Sequence, residues 1–285
     1  MTQPAFWRSS LDPERVMSAQ VTHWQDRDQE KREESVTVEE PLEIRLGGRS
    51  LAIIMRTPGH DIELAPGFLL SEGLIQLPED VLQVRAACDA EGLPLPNVVE
   101  VLLREPLMTE IVISTAQRRF TVASSCGLCG KDSIADILCS AAPVTEDHFQ
   151  LAASSLYELP ERLRQAQAVF THTGGLHAAG LFDARGNLCL LREDVGRHNA
   201  VDKLLGHGIL QHTLPYANYL LLVSGRTSFE IIQKALRARI PCIAAISAPS
   251  SLAVEMAEQS GITLIGFLRT RTMNVYTHPH RVISD

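Results

Sequence analysis

The sequence predicts an α/β protein in which a C-terminal domain with a largely parallel sheet follows a smaller N-terminal α+β domain. Three short apolar segments near the C-terminus are YLLLVS (219–224), CIAAIS (242–247) and TLIGFL (263–268). Helix-compatible stretches near 227–238 and 250–259 separate them. Short apolar strands joined by single helices favour parallel pairing through right-handed crossovers, so we assign residues 146–285 to one layered α/β domain.

The N-terminal part shows a different pattern. Residues 1–34 are polar and end in the charged run DRDQEKREE, which predicts a mobile arm or a frayed helix. From Ser35 the segments SVTVEEPLEIRL and RSLAIIMR flank Gly47 and Gly48, as the strands of a hairpin flank its turn. A helix after Asp61 and a strand over 97–104 complete an α+β domain. We expect this domain to span 35–145 and to end in a cysteine-containing loop and helix.

Composition excludes several classes of function. The chain has 285 residues, 45% of them apolar, which is enough for a sizeable core. Its 34 acidic residues exceed its 26 basic ones, so nucleic acid and anionic membranes are not expected partners. We see neither a signal peptide nor an apolar run of the ~20 residues that a membrane helix needs. We therefore expect a cytoplasmic protein with reduced cysteines.

Two of the six cysteines are closely spaced. The segment SSCGLCGKDSI places Cys126 and Cys129 between glycines, just before the helix-compatible stretch KDSIADILCS. A helix N-terminus and Lys131 would both favour the thiolate, which is the form that attacks sulfur. The glycines leave the loop uncrowded, which suits a sulfur atom that is loaded and then delivered.

Four interpretations of this pair remain open on spacing alone. A zinc site would need further ligands, and no second CxxC or paired histidines lie nearby. A thioredoxin-like dithiol would belong to an early βαβ unit, whereas this pair follows an antiparallel region. Two structural cysteines in a turn are a third interpretation. A persulfide carrier is the fourth.

The loops that leave the three C-terminal strands form a second candidate site. They contain Ser224, Gly225, Arg226 and Thr227 after the first strand, Ser247 to Ser251 after the second, and Arg269, Thr270 and Arg271 after the third. In a parallel sheet such loops meet at one edge, where open α/β sheets bind ligands. Helix N-termini, hydroxyl groups and arginines together suit phosphate. The alternative is that the serines cap helices and the arginines are solvated.

Two histidine-containing segments are weaker candidates. His177 lies beside Gly174 and Gly175 and is a candidate site residue, although a single histidine is more often structural. In REDVGRHNAVDK, Asp194 is a possible cap of the next helix. For Arg197, His198 and Lys203 in the same segment, contact with a cofactor and support of the cysteine loop are both possible.

The cysteine motif and several other blocks resemble one family. SSCGLCGKDSI, TGGLHAAGL, REDVGRHNAVDKLLG, SGRTSFEIIQKA and IAAISAPSSLAVEMAE match, in order, the blocks of the FdhD/NarQ family, the formate dehydrogenase accessory sulfurtransferases. Several ordered blocks are far more specific than one CxxC. The resemblance covers nearly the whole chain after about residue 35.

The resemblance implies a function and its partners. A member of this family accepts sulfur from a cysteine desulfurase and passes it to the molybdenum bis(pyranopterin guanine dinucleotide) cofactor before insertion into the formate dehydrogenase apoenzyme. Cys126 would carry the persulfide and Cys129 would assist. The stretch Gly266, Phe267, Leu268, Arg269, Thr270 and Arg271 would be part of the cofactor's seat. A homodimer is also implied.

The family's larger domain is similar to the cytidine deaminase fold, which raises a rival function. Zinc deaminases need an H-x-E or C-x-E element followed by P-C-x-x-C. Here His177 is followed by Ala178 and Ala179, and Cys126 lies upstream of that histidine. Deamination is therefore disfavoured. The remaining rivals are a cofactor chaperone with structural cysteines and a zinc hydrolase, which would require bound metal.

Overall fold

A computed structural model of the protein describes residues 14–105, 113, 142–144 and 148–285. The strands in this part of the chain, numbered β1 to β14, are Val16–Gln25, Asp28–Thr37, Glu40–Leu46, Arg49–Arg56, Val81–Cys88, Pro94–Leu103, Leu151–Ala152, His177–Phe182, Leu188–Asp194, Leu220–Val223, Cys242–Ala245, Thr263–Gly266, Asn274–Thr277 and Val282–Ile283. The α-helices, α1 to α6, are Asp61–Ser71, Ala153–Ala166, Ala168–Thr173, Arg197–Leu210, Phe229–Arg237 and Ser251–Gln259.

The N-terminal half contains a four-stranded sheet in the order β4-β3-β6-β5. The predicted hairpin is confirmed as β3 and β4, which pair antiparallel around Gly47 and Gly48. Both glycines have positive φ, 57° and 79°, which a glycine adopts without steric cost. Alternate residues of β3, such as Leu42 and Ile44, are fully buried and belong to the main hydrophobic core. The predicted strand near 97–104 is β6.

Residues 16–37 form a hairpin, within and just beyond the stretch 1–34 for which the sequence predicts a mobile arm. Strands β1 and β2 pair antiparallel from Val16 opposite Thr37 to Gln25 opposite Asp28. Most of their side chains are exposed, and Thr37 Oγ1 donates to Thr173 Oγ1 at 2.9 Å near the hairpin's base. The arm prediction is therefore wrong for the part from Val16 onwards. A two-stranded ladder satisfies its backbone groups without burying many side chains, so the hydrophobicity pattern did not reveal it.

The C-terminal half contains a six-stranded sheet in the order β13-β12-β11-β10-β8-β9. The three predicted apolar strands are confirmed as β10, β11 and β12, which lie parallel to one another with α5 and α6 as the crossovers. Strands β8 and β9 on one side and β13 on the other are antiparallel to their neighbours. The sheet is thus mixed rather than largely parallel, because the β8–β9 and β12–β13 connections are too short to form a crossover. The cytidine deaminase-like arrangement stays a prediction.

Helix α1 of the N-terminal half packs closely against α4 of the C-terminal half. A Cβ atom on Gly67 would lie 1.8 Å from Asp202 O, and one on Gly206 would lie 1.6 Å from Glu63 O. Glycine is thus required on both helices at this contact. One buried cluster includes β3, α1, α4 and the central strands, so a continuous core supports the C-terminal sheet. The proposed division into 35–145 and 146–285 stays a prediction.

Two buried ion pairs anchor α4. Lys203 Nζ lies 2.7 Å from Asp194 Oδ2, and Lys234 Nζ of α5 lies 2.7 Å from Asp202 Oδ1. Ser71 also donates to Asp202 and so connects α1 to the second pair. In both pairs each buried charge therefore faces an opposite charge, which offsets the cost of burial. None of the helices in the described stretches is both long and apolar enough to span a membrane.

Candidate functional site

The C-terminal ends of β10, β11 and β12 and the start of β8 form one edge of the six-stranded sheet. Because β8 is antiparallel to β10, its first residues lie next to the end of β10. Ser224 N donates to Ala178 O at 3.0 Å, and Ala178 N donates to Ser224 Oγ at 2.9 Å. These two bonds fix His177 beside the Ser224–Thr227 loop. We call this region the strand-end edge.

Backbone hydrogen bonds join the three strand-end loops. Thr227 N donates to Ala248 O at 3.2 Å, Ser250 N donates to Thr227 O at 3.0 Å, and Phe267 N donates to Ser247 O at 3.1 Å. The three loops that the sequence predicted to meet are therefore in direct contact. Their role in binding a cofactor stays a prediction.

Gly266 and Phe267 form a tight turn at the end of β12. A Cβ atom on Gly266 would lie 2.9 Å from both Pro249 Cδ and Tyr276 Cε2, so only glycine fits without a shift. Phe267 has a φ of 52°, which is rare for a residue with a bulky side chain. The residue is 42% exposed. Strained and exposed aromatic residues of this kind are found at ligand sites.

The arginines of the strand-end edge differ in their contacts. Arg269 donates from Nη1 to Ile246 O and, at 3.1 Å, to Leu268 O, so it ties the β11 and β12 loops together. Arg226, Thr270 and Arg271 are exposed. Arg269 thus contributes to loop geometry, and it is exposed like Arg226 and Arg271. A positive rim of this kind suits a phosphate group.

His177 lies against the glycine of the first loop. A Cβ atom on Gly225 would lie 3.2 Å from His177 Nδ1, so the glycine allows the ring to approach the loop. Burial lowers the pKa of His177, and the positive charge of Arg197 and a contribution from His198 lower it further. A neutral imidazole, which can accept a hydrogen bond, is therefore favoured near pH 7.

The start of α4 brings charged residues to the same edge. Arg197 Cδ would lie 3.6 Å from a Cβ on Gly225, and Arg197 Nε has no hydrogen-bond partner among the described residues. His198 Nε2 lies 2.8 Å from Glu230 Oε2. Burial alone would raise the pKa of Glu230, but the hydrogen bond and charge of His198 outweigh it and lower that pKa. The carboxylate therefore fixes the His198 ring at the edge.

Lys203 does not reach the edge. It is fully buried in its ion pair with Asp194, and it donates to Thr57 O at 2.8 Å. Burial lowers the pKa of Lys203, against the opposing effect of Asp194. The suggestion that Lys203 contacts a cofactor is therefore wrong. Its contribution is to hold the end of β9, from which the chain continues into α4.

A cavity of about 480 Å³ opens beside the edge, and sequence reasoning missed it. Its lining residues are Arg164, Gln167, Phe170, Gly174, Gly175, Leu176, His177, Ser224 and Ile246. It thus joins α2 and α3 to two of the strand-end loops. Nothing in the sequence marked Gln167, which is a polar residue only 3% exposed, because its burial depends on packing between distant segments.

The cysteine pair, Cys126 and Cys129, lies outside the described residues, and so do their predicted loop and helix. Elsewhere, Cys88 and Cys189 are exposed, but partial desolvation of the Cys189 thiol and the nearby Asp183 carboxylate raise the pKa of Cys189. Within the part of the chain that the structure covers, no three His, Cys, Asp or Glu side chains are grouped so that they could hold a metal ion.

Comparison with known proteins agrees with the motifs. The profile of the FdhD/NarQ family matches residues 37–283. The sulfur carrier protein FdhD of Nocardia farcinica is 48% identical over 257 residues, which cover 89% of this chain and 90% of the relative. The sulfur carrier protein FdhD of Mycolicibacterium paratuberculosis is 49% identical over 265 residues, with 92% and 97% covered.

A solved structure has the same fold. It is the crystal structure of a Desulfotalea psychrophila protein assigned as a formate dehydrogenase accessory protein, with a TM-score of 0.74 and 24% identity. The match covers 94% of this chain and 100% of that one. With the ordered motifs and the close relatives, the conclusion is that this chain belongs to the FdhD/NarQ family.

Proposed function

We propose that this protein is a sulfur carrier that serves the maturation of formate dehydrogenase, with Cys126 as the carrying residue. The observation that supports the proposal most directly is the set of close relatives, named sulfur carrier proteins, that match about nine-tenths of the chain. The joined loops and exposed arginines of the strand-end edge support the further proposal that a phosphate-bearing sulfur acceptor binds there.

The loading step is a thiol–persulfide exchange. The Cys126 thiolate attacks the outer sulfur of a persulfide on a cysteine desulfurase. A new S–S bond forms at Cys126 while the desulfurase S–S bond breaks, and the desulfurase cysteine leaves as a thiolate. No external electrons are needed, and the outer sulfur now belongs to this chain.

Release of the outer persulfide sulfur as sulfide requires two electrons. Cys129 lies three residues from Cys126 in the sequence, and its thiolate would supply them. Its thiolate attacks the inner sulfur, a Cys126–Cys129 disulfide forms, and the outer atom departs as sulfide to the molybdenum of the substrate. We propose that this substrate is the molybdenum bis(pyranopterin guanine dinucleotide), later inserted into the formate dehydrogenase apoenzyme. Its pyrophosphates would lie at the strand-end edge.

Intact-protein mass spectrometry tests the loading step. After incubation with a cysteine desulfurase and cysteine, the protein should gain one sulfur atom, about 32 Da, that peptide mapping places on Cys126. Cys126→Ala should gain none. Cys189→Ala is the matched control, because it removes an exposed cysteine whose raised pKa disfavours the thiolate. Full loading of the Cys126→Ala protein would overturn the carrier mechanism.

Calorimetric titration with GDP tests the substrate's seat. Arg269→Ala removes both a positive charge and the contact that joins two strand-end loops, so GDP affinity should fall about tenfold. Arg185→Ala, in the exposed turn between β8 and β9, is the control and should leave affinity unchanged. Equal GDP affinity in both variants would mean that the phosphate site does not lie at this edge. GDP binding without sulfur loading would favour the alternative, a cofactor chaperone with structural cysteines.

A further inference from the structure

The delivery step proposed above leaves the protein in a form that cannot accept another sulfur atom. When the Cys129 thiolate releases the outer sulfur as sulfide, two electrons leave the cysteine pair and a Cys126–Cys129 disulfide remains. Loading requires a thiolate on Cys126, because the thiolate is the form that attacks the persulfide of the desulfurase. Two electrons must therefore return to the pair before each new cycle.

The other cysteines of the described residues do not form a second pair that could return these electrons. Cys189 lies on β9 and Cys242 on β11, and strands β8 and β10 separate them in the six-stranded sheet. Three strand spacings of about 4.8 Å hold these cysteines ~14 Å or more apart, whereas a disulfide needs Cα atoms within ~7 Å. Cys88 lies on β5 of the other sheet, and none of the three forms a disulfide.

These cysteines are also poorly suited to act singly. Cys189 Sγ donates to Asn187 O at 3.5 Å, and desolvation and the Asp183 carboxylate raise the pKa of Cys189, which favours the unreactive thiol. Cys242 is only 2% exposed, so its sulfur is not accessible to a disulfide. Cys88 is exposed, but one thiol can only form a mixed disulfide with the pair, and a second thiol must complete the reduction.

The same limit applies to the remaining cysteine, Cys139, which lies outside the described residues. It is again a single thiol, so it would also stop at a mixed disulfide. The electrons that reset the cysteine pair therefore come from another molecule.

The spacing of the cysteine pair selects the kind of reductant. A monothiol attacks one sulfur and forms a mixed disulfide, but the released cysteine lies three residues away and can attack that bond again. Well-oriented intramolecular reactions reach effective molarities of ~10⁵–10⁸ M, so this reversal is faster than attack by a second monothiol from solution. A dithiol avoids the reversal, because its own second thiol resolves the mixed disulfide.

We propose that a dithiol reductant, of the class of proteins with a reduced CxxC pair, reduces the Cys126–Cys129 disulfide once for every sulfur atom delivered. Each reduction breaks that S–S bond, forms one S–S bond in the reductant, and transfers two electrons and two protons to the cysteine pair. The protein then has three successive reaction partners, which are the desulfurase, the sulfur acceptor and the dithiol. The inference rests on the proposed function, because the disulfide arises only in the delivery step.

The test follows the cysteine pair through one cycle by mass spectrometry. The full-length protein is loaded with a desulfurase and cysteine, separated from both, and incubated without oxygen or reductant. A sulfide-selective electrode should detect about one sulfide per chain, and the tryptic peptide 120–131, which contains both cysteines, should be about 2 Da lighter than its reduced form. The discharged protein should load no second sulfur when desulfurase and cysteine are supplied again.

Dithiothreitol and 2-mercaptoethanol, at equal thiol concentration and removed before reloading, are the matched reductants. Dithiothreitol should restore loading at least about tenfold faster, because it resolves its own mixed disulfide. Cys129→Ala is the matched variant, which should load Cys126, form no disulfide and lose the preference for the dithiol. The control variants Cys88→Ala, Cys139→Ala and Cys189→Ala should behave like the wild type.

Three results would overturn the inference and leave the carrier mechanism intact. They are retention of the persulfide by the loaded wild type, a second loading of the discharged protein without a dithiol, and equal recovery with the two reductants. Failure of dithiothreitol to restore loading in one of the control variants would also overturn it, because that cysteine would then take part in the reduction. Absence of any sulfur on Cys126 in the first step would instead overturn the proposed function, and the inference with it.

Discussion

Breaking the Lys203–Asp194 ion pair should destabilise the protein substantially. Both side chains are 0% exposed and their charged atoms lie 2.7 Å apart. In Lys203→Met the Asp194 carboxylate keeps donors from Thr57 N at 3.2 Å, Gly196 N at 2.8 Å and Asn199 Nδ2 at 3.0 Å. Removal of one partner of a buried pair costs about 3–5 kcal/mol. The three remaining donors place the expected loss near the lower end, about 3 kcal/mol.

Urea unfolding monitored by far-ultraviolet circular dichroism measures this loss. Lys31→Met, on the exposed strand β2, is the matched control and should change the free energy of unfolding by less than about 0.5 kcal/mol. Asp194→Asn should also destabilise the protein, because it leaves a buried ammonium group. The double variant Lys203→Met/Asp194→Asn should lose less than the sum of the single losses, since no buried charge remains.

The reasoning would be refuted by either of two results. A loss below about 1 kcal/mol in Lys203→Met, relative to the control, would mean that the pair contributes no more than an exposed one. Strict additivity in the double variant would mean that the two charges are not energetically coupled. If the dependence of the unfolding free energy on urea concentration changes in a variant, its unfolded state is altered. The stability at the start of α4 would then be measured by hydrogen exchange instead.

Three further predictions concern the helix contact, the edge and the acid stability. Gly206→Ala should lower the free energy of unfolding by about 1–3 kcal/mol, because its Cβ would lie 1.6 Å from Glu63 O; unchanged urea stability would contradict this contact. Arg197→Met should raise the pKa of His177, which the arginine's charge lowers in addition to burial; an unchanged NMR titration of the imidazole would count against it. Burial raises the pKa of Glu63, but the hydrogen bond and charge of Arg192 outweigh this and lower it. The carboxylate thus contributes stability above pH 4.5 that is lost as the pH falls through its folded value. In Glu63→Gln the free energy of unfolding should therefore fall less steeply as the pH decreases below 4.5. An unchanged pH dependence of this free energy, measured by urea unfolding, would refute the assignment.

The elements that the sequence predicted well are those with a strong local signal. The strands β10, β11 and β12 each follow a helix and consist of four buried residues, so their apolar runs stand out. The hairpin turn at Gly47 and Gly48 was equally visible, because positive φ favours glycine. Single helices between these strands then predicted parallel pairing, and parallel pairing predicted that the strand-end loops meet.

The elements that were missed depend on contacts between distant segments. The β1–β2 hairpin is polar, and its base contacts α3 through Thr37 and Thr173, which are far apart in sequence. The residues of β8 and β13 carry no sign that these strands pair antiparallel with β10 and β12. Gln167 is buried by the fold around it, so neither its type nor its neighbours in sequence indicated a cavity. Local patterns determine elements, whereas sites such as this one arise from packing.

The distribution of unpaired buried polar atoms connects the edge with the cavity. Lys203 and Lys234, the buried amines of the core, each face a carboxylate at 2.7 Å. By contrast, Gln167 Nε2, Arg197 Nε and Thr227 Oγ1 are buried without a partner among the described residues. Each such atom destabilises the folded state by about 1–3 kcal/mol, so a fold retains several in one region only where something offsets the loss. Their position beside the strand-end loops is therefore an independent reason to place a polar, phosphate-bearing ligand at this edge.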